Sequence, residues 1–414
     1  AGISGAYGAA LYAKDTAPEN PGLLNRDQLA DFTHKARPIT CKLCTNHCSL
    51  TINTFDNGRR FVSGNRCSRP LGKQKNDLPN LAKWKYDKLR SLTGVPGPRG
   101  KIGIPFGLNM FENLPFWHAF FTRLGFEVVL SPESSRSIYR LGQHTIPSDT
   151  VCYPAKLMHG HVISLIDEGV DTIFYPCMPY NFDEGAGDNH FNCPVVAYYP
   201  ELLAANISEL EKVRFLNPYF GLHRPKDFAK RAAAYFKGEF GIPAHETKEA
   251  ASAAYKAYED YKAEIRAKGE EYIRYARENG KKILVMAGRP YHIDPEIGHG
   301  IDELAVSYGF VLISEDSISH LVEKEPRKVL NQWTYQSRLY SAARYVCTQA
   351  DMELIQLVSF GCGIDAITTD ETRDILESGG KLYTQIKIDE ITNLGAVKIR
   401  LRSLIAAVEA RERT

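Results

Sequence analysis

Ile102-Gly-Ile-Pro-Phe106, Phe126-Glu-Val-Val-Leu130 and Asp171-Thr-Ile-Phe-Tyr175 are short apolar runs, each divided from the next by a stretch of helical character. An aromatic helix through Phe120 fills the first gap, and a helix after Tyr153 lies in the second. Strands that alternate with helices in this way pair in parallel, because a parallel partner requires a crossover connection. The rhythm returns in Ile283-Leu-Val-Met286, Phe310-Val-Leu-Ile313, Leu354-Ile-Gln-Leu-Val358 and Leu382-Tyr-Thr-Gln-Ile-Lys-Ile388. Between the two runs, from about His245 to Asn279, the residues Ala251, Ala254, Tyr258, Tyr261, Ile265, Tyr272 and Tyr275 fall near one face of a long helix. Asn279-Gly280 closes that helix. A tyrosine stripe at this spacing is a packing face and carries no chemistry.

The fold class that follows is α/β: two Rossmann-like parallel-sheet halves, at 98–215 and 281–414, with a helical connector at 216–280. The Pro/Gly-rich stretch Thr93-Gly-Val-Pro-Gly-Pro-Arg-Gly100 marks a domain boundary on the N-terminal side. Before it lies a small cysteine-rich module at 38–75 and a tail at 1–17. Leu50-Thr-Ile-Asn-Thr-Phe55 and Arg59-Arg-Phe-Val-Ser63 flank Asn57-Gly58, which predicts a β-hairpin.

The chain has 414 residues, 51 basic and 49 acidic, a formal charge of +2. With 43% hydrophobic and 24% charged residues it has the balance of a folded globular protein of several domains. So small a net charge offers no field to recruit nucleic acid or an anionic membrane. No apolar run is long enough to span a bilayer, and no signal-peptide layout opens the chain. The expected compartment is cytoplasmic, where nine cysteines stay reduced and metal ligation explains them better than disulfides.

Cys41, Cys44 and Cys48 form a C-x2-C-x3-C run, and Cys67 follows the hairpin. Four thiolates at this spacing suit a 4Fe-4S cluster, with structural zinc as the alternative. His47 beside them reads as a donor to a ligand and not as the ligand itself. A second group stands at predicted strand ends. Cys177 ends Asp171-Thr-Ile-Phe-Tyr-Pro-Cys177, Cys362 ends Leu354-Ile-Gln-Leu-Val-Ser-Phe-Gly-Cys362, and Cys152 precedes a helix. Open α/β sheets bind ligands beyond the carboxyl ends of their strands. Three thiolates there suit a cuboidal cluster, although any one alone would read as a small buried hydrophobe. Cys193 in Phe191-Asn-Cys-Pro194 is an additional or bridging ligand candidate, and Cys347 reads as packing. Tyr291, His292, Asp294 and His299 follow the strand ending at Ala287 and are candidates to line the same cleft and supply protons; Lys156, Glu315 and Asp316 are weaker ones. Neither a P-loop nor G-x-G-x-x-G after a strand occurs, so ATP is expected to bind elsewhere.

Lys101–Phe106, Ile146-Pro-Ser-Asp-Thr-Val-Cys-Tyr-Pro-Ala-Lys156, Phe174-Tyr-Pro-Cys-Met-Pro179, Ala287-Gly-Arg-Pro-Tyr-His-Ile-Asp-Pro295 and Ser359-Phe-Gly-Cys-Gly-Ile-Asp365 resemble the acyl-CoA dehydratase activase-related proteins. The chain looks like their non-ATPase region, which is similar to 2-hydroxyacyl-CoA dehydratases and double-cubane cluster proteins. The opening Ala1–Lys14 is similar to the closing helix of an acetate-kinase-type ATPase domain. By this resemblance Cys152, Cys177 and Cys362 match three cysteines that hold one 4Fe-4S unit, with an open fourth iron site or a sulfide bridge to a second cubane. The Cys41–Cys67 module departs from the dehydratase pattern. The resemblance implies an oxygen-sensitive protein of an anaerobe: an ATP-driven low-potential electron-transfer or reductase component with an activase ATPase domain or subunit as partner, in a homo- or hetero-oligomer. Alternatives are an (R)-2-hydroxyacyl-CoA dehydratase or other small-molecule reductase, with an acyl-CoA or small-molecule substrate, and a non-catalytic docking or maturation scaffold.

Overall fold

The computed structural model describes residues 3–16, 24–42, 48–56, 58–65, 70, 77–325, 329–359, 361–390 and 394–413. The chain divides into two units, 1–65 and 66–414. In the first, helix Ser4–Thr16 buries none of its side chains. Strands β1 (His34–Thr40), β2 (Ser49–Phe55) and β3 (Arg60–Ser63) form an antiparallel sheet in that order. The β2–β3 hairpin is the one its sequence predicts. Its turn places Gly58 at φ +75, which a side chain would resist. The pairing of β1 with β2, from His34 opposite Phe55 to Thr40 opposite Ser49, begins upstream of the module's expected start.

The second unit contains two four-stranded parallel sheets flanked by helices, as the alternating pattern predicts. One is built from β4 (Lys101–Ile104), β5 (Glu127–Leu130), β6 (Thr172–Phe174) and β7 (Arg214–Leu216) in the order β5-β4-β6-β7. The other is built from β8 (Ile283–Ala287), β9 (Val311–Ser314), β10 (Met352–Val358) and β11 (Thr384–Lys387) in the order β11-β10-β8-β9. Both share one plan: the first strand lies inside, the second goes to one side and the third to the other. Each sheet therefore has a switch point, between β4 and β6 and between β8 and β10, where loops part above the carboxyl ends and leave a crevice.

The helix Ala244–Glu278 is the expected connector, with Ala251, Ala254, Tyr258, Tyr261 and Ile265 buried. Its stripe rotates away near the C-terminus, where Tyr275 is exposed and Ile273 and Ala276 take the inner face. It packs along helix Met110–Arg123, whose Phe116, Trp117, Phe120 and Phe121 are fully buried. Helix Leu81–Arg90 lies before the Pro/Gly boundary yet belongs to this unit: Leu312 N donates to Pro79 O at 3.0 Å, and Asn80 Nδ2 to Asp302 at 2.8 Å. None of the helices described is long and apolar enough to cross a membrane.

Under the helices lies a buried charge network. Arg338 donates to both oxygens of Glu112, at 2.6 and 2.9 Å, and to both of Glu184, at 2.6 and 2.8 Å. Lys262 also reaches Glu184, and the Tyr258 hydroxyl donates to Glu112 at 2.8 Å. Lys85 pairs with Asp316 at 2.6 Å. Thus Asp316 is a structural ion-pair member, and Glu315 beside it is pushed up to about 7 by burial and by the Asp316 charge.

Candidate functional site

Three cysteines occupy one structural role. Cys152 is the N-cap of helix Tyr153–Asp167, Cys193 of helix Pro194–Asn206 and Cys362 of helix Gly363–Ser378, each with an extended backbone. Pro154 and Pro194 sit in the first turn of their helices, where a missing N–H costs nothing and the fixed φ starts the helix. The cap thiols lie in one another's fields, since Cys152 feels the charges of Cys193 and Cys362, and Cys193 that of Cys362. The Sγ of Cys193 accepts from Val196 N at 3.4 Å. Helix N-termini carry partial positive charge and unpaired N–H groups, so each of these caps lies in a locally positive field.

The crevice supplies a full cation as well. Arg289 follows β8 and Asp365 lies beyond β10, so they stand on either side of the second switch point. Arg289 Nη2 donates to Asp365 Oδ1 at 2.5 Å and to Cys362 Sγ at 3.2 Å, and Nη1 reaches Asp365 Oδ2 at 3.2 Å. Ser359 N donates to the same Asp365 Oδ2 at 2.8 Å, which ties the loop leading to Cys362 to the ion pair. Arg289 is only 7% exposed, and Cys152 and Cys193 both feel its charge. Desolvation pushes the Cys152 thiol up to about 12 and that of Cys193 in the same direction. Neither is a thiolate at neutral pH by itself. A metal that binds them must displace their protons, and its affinity will rise with pH.

Cys177 has different neighbours. It follows β6 at the first switch point and bridges to Tyr219 across the extension of β7. Burial, followed by the charge of Glu201, pushes its thiol up to about 11, and a bond to Tyr219 opposes the shift. Tyr175, two residues earlier, lies within the fields of Cys177, Cys193 and Cys152 together. Cys347 ends helix Thr334–Cys347, packs on the core and points its thiol at Ile375 O, at 3.5 Å. In the first unit, Cys41 N donates to Cys48 O at 2.8 Å, so these two cysteines close the end of the β1–β2 ladder. Cys44, Cys67 and His47 lie outside the described residues. Among the described residues no three His, Cys, Asp or Glu side chains are grouped as a site for one metal ion.

The residues after β8 divide by role. Tyr291 is buried beside Arg289 and feels Cys152, Cys193 and Cys362. His292 turns back on its own loop, where its Nδ1 accepts from Arg289 N at 3.0 Å. Burial and the Arg289 charge hold it well below the ordinary histidine range, so it is a neutral acceptor that positions Arg289. A Cβ on Gly288 would stand 2.1 Å from that nitrogen, which makes glycine necessary there. His299 adopts φ +52, and its Nε2 bonds to Asp389 O at 2.7 Å. Lys156 lies 3.8 Å from Glu390.

Asp294 caps the turn Pro295–Gly298 through Glu296 N, at 2.8 Å, and accepts from Ser134, whose hydroxyl also contacts His161 at 3.0 Å. Burial pushes its carboxyl up to about 7. A pKa raised on folding adds stability below the unfolded value, near 3.8, that is lost as pH rises through about 7. Asp294→Asn keeps the cap acceptor but cannot ionise. Its stability, measured by urea unfolding at a series of pH values, is therefore expected to fall less steeply between pH 4 and 7 than that of the unmodified chain. Equal slopes would assign the proton uptake elsewhere.

Arg289 and Asp365 had no assigned role in the sequence, although both stand in the quoted motifs. A Gly-Arg-Pro run directly after a β-strand is the available signal. Together the geometry defines an α/β protein with a buried Arg289–Asp365 pair against the Cys362 thiol beyond the carboxyl ends of the second sheet's strands. Residues 101–318 match the model of the CoA enzyme activase uncharacterised domain (DUF2229), and the chain belongs to that family. Among solved structures, the C-terminal domain of glucosamine-fructose-6-phosphate aminotransferase from Francisella tularensis is similar at 10% identity and a TM-score of 0.19, over 82% of this chain and 90% of that one. None of the curated proteins compared with the chain matches it.

Proposed function

We propose that this chain is an iron–sulfur component of an ATP-driven, low-potential electron-transfer system, related to 2-hydroxyacyl-CoA dehydratases and their activases and serving a CoA enzyme. What supports this reading is that Cys152, Cys193 and Cys362 each stand at a helix N-cap, with the buried Arg289 donating to Cys362 Sγ, in a chain of the CoA enzyme activase domain family. Soft thiolates are the donor set that iron–sulfur clusters take. Cys152, Cys193 and Cys362 would hold the cluster, with Cys177 as a further ligand candidate. A bound cluster supplies one-electron chemistry. The protein's own contribution is electrostatic: Arg289 and three helix N-termini offset the cluster's negative charge, and Asp365 fixes Arg289 in place. Cys41, Cys44, Cys48 and Cys67 would form a second, relay centre of iron–sulfur type, with zinc as the other occupant of four thiolates.

The test is anaerobic purification with iron, sulfide and zinc analysis and EPR. Two cluster signals are expected. Cys362→Ala should lose one of them and Cys44→Ser the other, while Cys347→Ala keeps both. Zinc and no iron in the first module would remove the relay. Full iron content in Cys362→Ala would remove this residue from the site and sink the central claim.

A further inference from the structure

Side chains of the first α/β half meet acids of the second along one seam. Ser134 donates to Asp294, the Tyr153 hydroxyl donates to Glu296 Oε1 at 2.8 Å, and Arg136 pairs with Glu390 at 2.7 Å. At Asp294 the seam continues inward. The Ser134 hydroxyl lies 3.0 Å from His161 Nε2, His161 Nδ1 lies 2.9 Å from the Ser131 hydroxyl, and Ser131 Oγ accepts from Phe106 N at 2.8 Å. All four side chains, from Ser131 to Asp294, are buried.

The hydrogens available to this chain set its direction. An ionised Asp294 only accepts, so the Ser134 hydroxyl donates to it and accepts from His161 Nε2–H, and Nδ1 then accepts from the Ser131 hydroxyl. Each donor has an acceptor. A proton added to Asp294 goes to Oδ2, because Oδ1 accepts from Glu296 N at 2.8 Å and Ile297 N at 3.3 Å, and one hydrogen of the chain is then surplus. The bonds favour the ion, but the surroundings oppose it. Among the described residues no lysine or arginine pairs with Asp294, Glu296 shares its turn, and the Glu133 carboxyl and Tyr86 hydroxyl face the same region. Arg90 is committed to Ser131 O, at 2.9 Å. Burial, and after it the Arg90 charge, keeps His161 neutral. At Asp294 burial outweighs the bonds.

We propose that the Ser131–His161–Ser134–Asp294 chain is a proton-controlled latch between the two α/β halves, held shut while Asp294 carries a proton and loosened when it ionises. The latch needs no bound group. Once open, water reaches the carboxyl and it titrates as an ordinary aspartate, so the shut form binds the proton more tightly and rising pH favours opening.

Hydrogen–deuterium exchange at pH 5 and pH 8, corrected for the intrinsic rate at each pH, tests this. The amides of 131–140 and 292–300 are expected to open at least about tenfold more often at pH 8, tenfold being the effect of a pKa difference of one unit. Those of helix Pro225–Phe240, away from the seam, should open equally at both. Asp294→Asn, which cannot ionise, should remove the difference, and Glu296→Gln should keep it. At pH 8, nitrogen NMR should find the His161 hydrogen on Nε2. Equal corrected rates in the unmodified chain would overturn the latch whether or not the variants fold. So would a pH response that survives in Asp294→Asn, or a hydrogen on Nδ1, which would mean that the chain runs the other way.

Discussion

Replacing Arg338 with methionine is expected to lower the unfolding free energy by about 3–5 kcal/mol, because it strands two carboxylates in the interior. The guanidinium is 2% exposed and forks onto both oxygens of Glu112 and of Glu184. Burial alone would raise Glu184, but the Arg338 and Lys262 charges outweigh it and hold the carboxyl down at about 2. A depressed folded-state pKa contributes stability above the unfolded value, near 4.5, that is lost as pH falls toward 2. In Arg338→Met most of that contribution is absent at neutral pH already. Urea unfolding should show the largest gap from the unmodified chain near pH 7, with the gap narrowing as pH falls and the stranded carboxyls protonate. A loss below about 1 kcal/mol at pH 7, the size of an exposed pair, would mean that water or Lys262 replaces the guanidinium. The consequence extends beyond local packing, since the pair joins helix Met110–Arg123 on the first sheet's side to helix Thr334–Cys347 on the second's.

The strands of both sheets were legible because they are apolar runs cut off by glycine and proline. β7 was not, since Arg214-Phe-Leu216 is an edge strand of only three residues with too little pattern to register. β1 was hidden because Lys35, Arg37 and Pro38 give it no apolar strand pattern, although all lie in a paired edge strand. The positions of Cys177 after β6, Cys362 after β10 and Cys152 before a helix were legible in the sequence. The shared N-cap role of Cys152, Cys193 and Cys362 was not. Cysteine is an uncommon N-cap, so the usual cap search passes over it, and only the prolines after Cys152 and Cys193 mark the helix starts. Arg289 and Asp365 are distant in sequence, and a charged residue after a strand ordinarily reads as solvated. Only folding shows that they share a bidentate pair. Tyr291, His292, Asp294 and His299 were grouped by proximity in the chain, yet the fold assigns them different tasks: filling buried space, positioning Arg289, capping a turn and bonding a carbonyl.

Arg289→Met is expected to cost about 3–5 kcal/mol and, if the proposed cluster is held beside it, to lower the iron content, and a second substitution separates the two effects. The stability loss arises because Asp365, 5% exposed, loses its cation partner in the interior. Adding Asp365→Asn removes that stranded charge while retaining an acceptor for Ser359 N, so the double variant should recover most of the lost stability. Residues in direct contact couple in this way, and a coupling energy of the order of 1–3 kcal/mol is the expected readout of the cycle. Iron retention should not recover. The double variant still lacks the donor that reaches Cys362 Sγ and the positive charge that Cys152 and Cys193 feel. Iron and sulfide per chain, measured after anaerobic reconstitution and gel filtration, should therefore be low in both Arg289 variants and near normal in Asp365→Asn alone, where the guanidinium remains. Recovery of iron in the double variant would show that Arg289 serves only to neutralise Asp365. The three helix N-termini would then supply the site's positive field by themselves.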